Sequence, residues 1–318
     1  MSKFSNSNNK DKAEQIVEKM RCIYPDQATN IIKAISQEKP TTFRINNLAN
    51  QFTGFTDSTI AFSKGPLEES YILKNETKSN LIESKEYKEG AIYLQELSSQ
   101  IPVLVLDPKP NEKILDLCGA PGSKTTQIAS ILKNNSAEII AVEKNKPRFF
   151  LLKHNLNMQK AQDKVTTFLN DGINFYKKYP KYLEYFDKVL VDAPCSNEGS
   201  INLTKPQTYK FWNPHKFKEA SRIQKGLIIA GYRMLKRGGT LVYSTCTYSV
   251  EENEEVVNWL LAKALDLKVE DIVLPINNLQ KGFTSWRGKN YDPQIRKTVR
   301  VVPNNLFTAF YIACLKKA

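Results

Sequence analysis

Lys113-Ile-Leu-Asp-Leu-Cys-Gly-Ala-Pro-Gly-Ser-Lys-Thr125 is the run from which the rest of the chain is read. A short apolar segment closes on an acid, Asp116, and passes through the small-residue loop Gly119-Ala-Pro-Gly122. A helix-compatible run from Lys124 to Leu132 follows. Strand, tight loop and helix in that order put backbone N–H groups where a nucleotide-like ligand approaches closely. A plain tight turn has the same look, so the weight of the loop depends on what ends the later strands.

Working outward, the alternation repeats. Gly90 to Ser99 leads into an apolar helix ending near Leu106. Strands are expected at 138–142, 165–169, 188–191 and 240–244, with helices near 147–158 and 214–236. This is an α/β pattern, a parallel sheet with helices on both faces. Ser249-Val-Glu-Glu252 has capping-box spacing and should open a helix running to about Leu265. Thr308 to Leu315 reads as a last strand, the antiparallel partner that many such sheets carry.

Upstream, residues 1–12 are polar and should be frayed. Ala13 to Ile35 reads as two helices broken near Tyr24-Pro25. Short strands are expected at 43–46 and 59–62, and 64–90 is charged and mixed. The division that follows is a small α/β unit over 1–88 and a larger domain over 89–318.

The 318-residue chain has a formal charge of +13, which points to a polyanionic partner, nucleic acid being the commonest. From Lys205 to Arg237 nine Lys and Arg face one acid, Glu219, with Tyr209, Phe211 and Trp212 interleaved. Lys205, Lys210, Trp212, Lys216 and Arg222 are the candidate RNA contacts. Five separated cysteines, no Cys-x-x-Cys and no signal peptide suit a reduced, cytoplasmic setting. With His154 and His215 alone, a zinc site or a Ser-His-Asp triad is short of parts, so no metal is expected. No apolar run reaches bilayer length, so no membrane partner is expected either.

Ligands of open parallel sheets bind beyond the carboxyl ends of the strands. Those ends are Asp116, Glu143, Asp171, Asp192 and Thr245-Cys246. Each acid alone could be a helix cap, but five such ends together point to one ligand. Glu143 lies 24 residues past Gly119, near the spacing at which an acid takes ribose hydroxyls. Asp171-Gly172 either accepts from an adenine amino group or turns the chain. A P-loop aligned on Lys124 would need glycines where Cys118 and Ser123 stand, and the NAD fingerprint lacks its third small residue. S-adenosylmethionine, which has no pyrophosphate, fits better.

The chemistry is carried by Asp192-Ala-Pro-Cys195 and Ser244-Thr-Cys246. Carbon 5 of a pyrimidine is a poor nucleophile. A thiolate added to carbon 6 makes an enamine whose carbon 5 can accept a methyl group, and an acid near nitrogen 3 stabilises the charge that develops. A cationic neighbour such as Lys124 would favour the thiolate. Either cysteine alone could be a small buried hydrophobe.

On these residues the chain resembles the RNA cytosine-5 methyltransferases, the family of bacterial ribosomal-RNA enzymes and the eukaryotic NSUN proteins. The likeness runs from about Gly90 onward. It rests on Tyr93-x-Gln95-Glu-x-Ser98-Ser99, the 116–125 loop, Asp192-Ala-Pro-Cys-Ser196, Tyr243-Ser-Thr-Cys246 and Glu251-Glu-Asn-Glu254. The resemblance implies a Rossmann-like class I methyltransferase with a mostly parallel seven-stranded sheet. It implies Cys246 as the nucleophile, Cys195 assisting product release, and Asp192 with Lys124 serving base and cofactor. It also implies that Cys118, Gly119, Ala120, Pro121, Gly122, Ser123, Lys124, Glu143, Arg148, Asp171 and Asp192 hold S-adenosylmethionine. The substrate would be tRNA or rRNA, bound by a cytoplasmic monomer whose residues 1–88 form an RNA-binding extension. The alternative is an RNA-binding assembly factor that keeps the fold without turnover. DNA methylation is disfavoured by the second thiol at 246. The family's usual Pro-Cys-Ser-Gly reads Pro-Cys-Ser-Asn197, where Asn tolerates the positive φ of Gly. Its Pro-His and Gly-Phe-Phe appear as Pro303-Asn304 and Ala309-Phe310-Tyr311.

Overall fold

The computed structural model describes residues 3–49, 51–74, 78–133 and 136–318. Helices α1 (Lys3–Ile23) and α2 (Ala28–Ile35) part at Tyr24-Pro25, as the proline requires. Helix α1 begins at Lys3, so the expected fraying over 1–12 is replaced by helix from there on. No Gly or Pro interrupts that stretch, and a helix nucleated where Ile16, Met20 and Ile23 are buried propagates cheaply.

A small antiparallel sheet follows, made of β1 (Thr42–Ile45), β2 (Ala61–Lys64), β3 (Ser70–Lys74) and β4 (Ile92–Leu94) in the order β2-β3-β1-β4. Short helices α3 (Lys78–Glu83) and α4 (Lys85–Lys88) precede β4. Phe43 anchors the sheet among Phe52, Phe55, Phe62 and Tyr71. Strand β3 lies inside the stretch read as charged and mixed: only Ser70 and Leu73 of it are buried, so its apolar signal is thin. Strand β4 completes this sheet although it lies past residue 88. Helices α1 and α2 pack instead on Ile201, Tyr209, Trp212 and Tyr248 of the larger unit.

The larger unit starts with α5 (Leu97–Leu106), β5 (Lys113–Asp116), α6 (Ser123–Leu132), β6 (Glu138–Glu143), α7 (Lys146–Met158) and β7 (Val165–Leu169). It continues with α8 (Phe175–Lys178), β8 (Phe186–Asp192), α9 (Phe217–Met234), β9 (Leu235–Thr245) and α10 (Glu254–Leu261). The last strands are β10 (Leu267–Glu270), β11 (Leu279–Lys281), the hairpin β12 (Ser285–Trp286) and β13 (Lys289–Asn290), β14 (Val299–Val301) and β15 (Phe310–Lys317). The sheet order is β11-β14-β15-β9-β8-β5-β6-β7, with β10 also on β15. Pairings among β5 to β9 are parallel, and β15 joins β9 antiparallel as expected. The sheet has nine strands rather than seven among the described residues, because its antiparallel edge is built from short pieces sharing β15.

Strand alternation sorts the core into two layers. Leu115, Val189, Val191 and Tyr243 pack with Leu227 and Ile228 of α9, while Ile114, Leu190, Val242 and Ile312 pack with Ile101 of α5 and Ile128 of α6. Both faces of the sheet are thus covered, as a parallel sheet demands. The capping box at Ser249 does not form. Helix α10 starts at Glu254, and Ser249 Oγ donates to buried Glu198 instead. A tertiary partner has taken the group that local spacing assigned to a cap.

Candidate active site

The order of strands reverses on either side of β5, whose neighbours are β6 and β8, so the carboxyl ends of these strands face a common crevice. Asp116, at the end of β5, is buried and accepts from Thr125 Oγ1 at 2.6 Å. Burial is the main reason its carboxyl is pushed up to about 6. The loop behind it is held by α7: Arg148 donates to the Ala120 carbonyl at 2.6 Å and Asn155 to that of Pro121 at 2.7 Å. Gly122 sits at φ +108°, and a Cβ there would stand 3.1 Å from Leu152 Cδ1. Glycine is what the turn needs.

Glu143 is buried at the end of β6 and accepts from Asn145 N at 2.7 Å. Asp171 caps a short turn by accepting from Ile173 N at 3.1 Å, and its other oxygen takes Lys144 Nζ at 2.9 Å. Both acids, with Cys118, Ile223 and Leu227, line a cavity of about 100 Å³. Cys118, Arg148 and Pro194 line this cavity and also a larger cleft of about 520 Å³. An apolar slot with two acids, beside a glycine loop that leaves its backbone approachable, fits the adenosine end of S-adenosylmethionine. Among the described residues no cluster of three or more His, Cys, Asp or Glu could hold a metal ion.

The larger cleft holds the residues expected to act on substrate. Lys124 Nζ lies 2.7 Å from Asp192 Oδ2 and donates to Ser99 Oγ at 2.9 Å. Ser244 Oγ donates to the other Asp192 oxygen at 2.7 Å. The ammonium therefore pairs with Asp192, the neighbour that the family resemblance gave it. Cys195 Sγ and Cys246 Sγ are 3.2 Å apart, and Asn197 Oδ1 is 3.0 Å from Cys246 Sγ. Asn197 holds φ +57°, the left-handed geometry expected of it in place of Gly. The Cys195 thiol is pushed well up, first by its hydrogen bond to Cys246 and then by burial. Phe310 walls the cleft, 5.4 Å from Lys124 Nζ.

The candidate RNA contacts divide. Lys210, Lys216 and Arg222 are exposed, and Lys205 is half-buried and paired with Glu38. Trp212 is buried, and its indole N–H donates to Glu198 at 2.8 Å, so it is poorly placed to stack on a base. Phe211, 78% exposed, stands beside it instead. An aromatic pair reads alike in sequence, and only packing decides which ring is covered.

Two buried carboxylates escaped the sequence reading as site residues. Glu198 accepts from Lys19, Trp212, Thr247 and Ser249. Glu252 accepts from Ser196 N at 3.0 Å, Ser196 Oγ at 2.6 Å and Gln224 Nε2 at 2.9 Å. Glu252 and Ser99 lie in motifs quoted above, so a signal existed for them. Glu198 and Lys19 had none, since their meeting joins residues 179 positions apart.

The family described as 16S rRNA methyltransferase RsmB/F matches residues 103–316. A tRNA (cytosine(49)-C(5))-methyltransferase of Pyrococcus abyssi is 44% identical over 236 residues, 73% of this chain and 72% of that protein. A 25S rRNA (cytosine-C(5))-methyltransferase, nop2, of Schizosaccharomyces pombe is 32% identical over 92% of this chain, which spans 48% of that relative. A solved structure of a methyltransferase homolog from Pyrococcus horikoshii superposes with a TM-score of 0.77 at 27% identity, covering 95% of this chain and 94% of that one.

Proposed function

The chain belongs to the 16S rRNA methyltransferase RsmB/F family, and from that premise we infer that it methylates carbon 5 of cytosine in structured RNA, tRNA or rRNA. The observation that carries this reading is the approach of two thiols to 3.2 Å in a cleft that also holds the Asp192–Lys124 pair. The cofactor is S-adenosylmethionine. It supplies an electrophilic methyl group when bound. The loop Cys118 to Lys124, with Glu143, Arg148, Asp171 and Asp192, would hold it.

The steps assigned to this chain are as follows. The Cys246 sulfur adds to carbon 6 of the cytosine, and the electrons of the double bond move to make carbon 5 nucleophilic. Asp192, fixed by Lys124 and Ser244, stands at nitrogen 3 and shares a proton with it as charge develops. Cys195 keeps its proton, because its hydrogen bond to Cys246 and its burial raise its thiol. After methylation Cys195 donates its S–H hydrogen bond to the Cys246 sulfur that must leave, and a solvent water takes the proton of the carbon-5 C–H bond. Its electron pair restores the double bond, and the bond from sulfur to carbon 6 breaks back to thiolate. A paired cytosine must first be unstacked to reach Cys246, which favours loops and unpaired sites. The exposed cations Lys210, Lys216 and Arg222 would hold the RNA backbone, with residues 1–88 adding contacts.

Nucleoside mass spectrometry tests the reading directly. RNA incubated with the protein and S-adenosylmethionine should gain 5-methylcytosine. Its absence from both tRNA and rRNA substrates would overturn the assignment.

A further inference from the structure

We propose that Lys19 of helix α1 is a positioning residue for the two thiols and acts through Glu198. Glu198 follows Asn197 on the loop that carries Cys195, and it is 1% exposed. One of its oxygens accepts from Lys19 Nζ at 2.7 Å and from Trp212 Nε1 at 2.8 Å. The other accepts from Lys19 Nζ at 2.8 Å, Thr247 Oγ1 at 2.7 Å, Ser249 Oγ at 3.1 Å and Tyr248 N at 3.3 Å. One carboxylate therefore ties α1 and the basic loop to the segment that carries Cys246.

Neighbouring contacts hold the two thiol loops in the same register. Gly199 N donates to the Cys246 carbonyl at 2.8 Å, and the hydroxyls of Ser196 and Thr247 meet at 2.7 Å. The thiols belong to separate loops, after β8 and after β9, so their spacing depends on this seam. Within it Lys19 supplies positive charge to both oxygens of Glu198, donates to Ser249 Oγ at 2.7 Å and lies 3.8 Å from the Phe217 ring centroid. Its side chain is 16% exposed, so it is poorly placed to meet an RNA phosphate.

A buried carboxylate that loses its counter-charge moves toward water or takes up a proton. Either response releases Thr247 and shifts Asn197, which touches Cys246 Sγ. Helix α1, part of the stretch for which the family resemblance implies RNA binding, is thus part of the geometry of the reacting groups. The kinetic arm of the following test rests on the cytosine-methylation reading, and the thiol arm does not.

The test uses the full chain with Lys19→Met, Lys19→Arg and the double variant Lys19→Met/Glu198→Gln. Phenylarsine oxide closes a ring on two thiols only when they can approach each other. Its affinity for the Cys195–Cys246 pair, followed by mass spectrometry of the protected cysteines, therefore reads their spacing. Lys19→Met and the double variant should lose about tenfold or more in that affinity, and Lys19→Arg should keep it. In methylation assays Lys19→Met should lower kcat by about tenfold and leave the KM for RNA within about twofold. Wild-type arsenical affinity in the double variant, or a rise in KM with kcat unchanged, overturns the proposal. If Lys19→Met does not fold, the double variant decides, because it leaves no unpaired buried charge. Failure of both to fold would also overturn it, since a purely scaffolding role would then account for the pair. If wild-type protein makes no 5-methylcytosine, the proposed function falls while the arsenical arm still decides this one.

Discussion

At Cys246 the proposed reaction depends on a single sulfur. Cys246→Ala should abolish 5-methylcytosine formation. Cys195→Ala should instead accumulate a protein–RNA adduct that survives a denaturing gel, because addition would outlast release. If the alanine at 246 forms the adduct and the alanine at 195 does not, the two roles are exchanged. The raised Cys195 thiol gives a second, RNA-free measurement. Iodoacetamide labelling of Cys195, located by mass spectrometry, should stay slow at neutral pH and climb only in strongly alkaline buffer. Asp116 carries a pH signature of its own, in stability. Its folded value of about 6 lies above the ordinary 3.8, so the native state holds the extra proton between those values. Stability from this group is full below about 4 and is lost as pH rises through about 6, by roughly 2–3 kcal/mol. Urea titrations from pH 4 to 6.5 should show that slope, and Asp116→Asn should flatten it.

Between elements, close approach and one buried ion pair hold the site walls. A Cβ at Gly199 would fall 2.5 Å from the Ala309 carbonyl oxygen and 3.0 Å from that of Cys246. Gly199→Ala must therefore spread the seam between the two thiol loops. Turnover should drop by about tenfold or more, with about 1–3 kcal/mol of stability lost, measured by single-turnover kinetics and urea unfolding. Farther out, Arg300 of β14 donates to both oxygens of Glu254, the first residue of α10, at 2.6 and 2.5 Å. It also reaches the Tyr24 hydroxyl at 3.1 Å and the Tyr248 carbonyl at 3.0 Å. Arg300→Met strands a buried carboxylate and should cost about 3–5 kcal/mol, whereas Arg300→Met with Glu254→Gln should recover much of that. The pair sits at the very start of α10, whose first residue is Glu254.

Over the whole molecule, the charge of +13 should set the salt dependence of RNA binding. Lys216→Ala and Arg222→Ala should weaken binding similarly for different RNA sequences and each lower the log–log salt slope by about one. Filter binding at several salt concentrations measures this. The sequence by itself determined the α/β alternation from Gly90, the acids and thiol that end the parallel strands, and the placing of Asp192, Cys195 and Cys246 at the ends of two neighbouring strands. Those features are local: period-2 burial, a glycine loop and strand-terminal residues are each written within a few positions. Tertiary structure alone decided that Trp212 turns inward while Phe211 faces water, and that Ser249 serves Glu198 instead of a helix. It alone brought Lys19 to the thiol loops. Each of these is a choice of partner between segments far apart in the chain, and a buried charge or ring takes whichever complementary group packing carries to it.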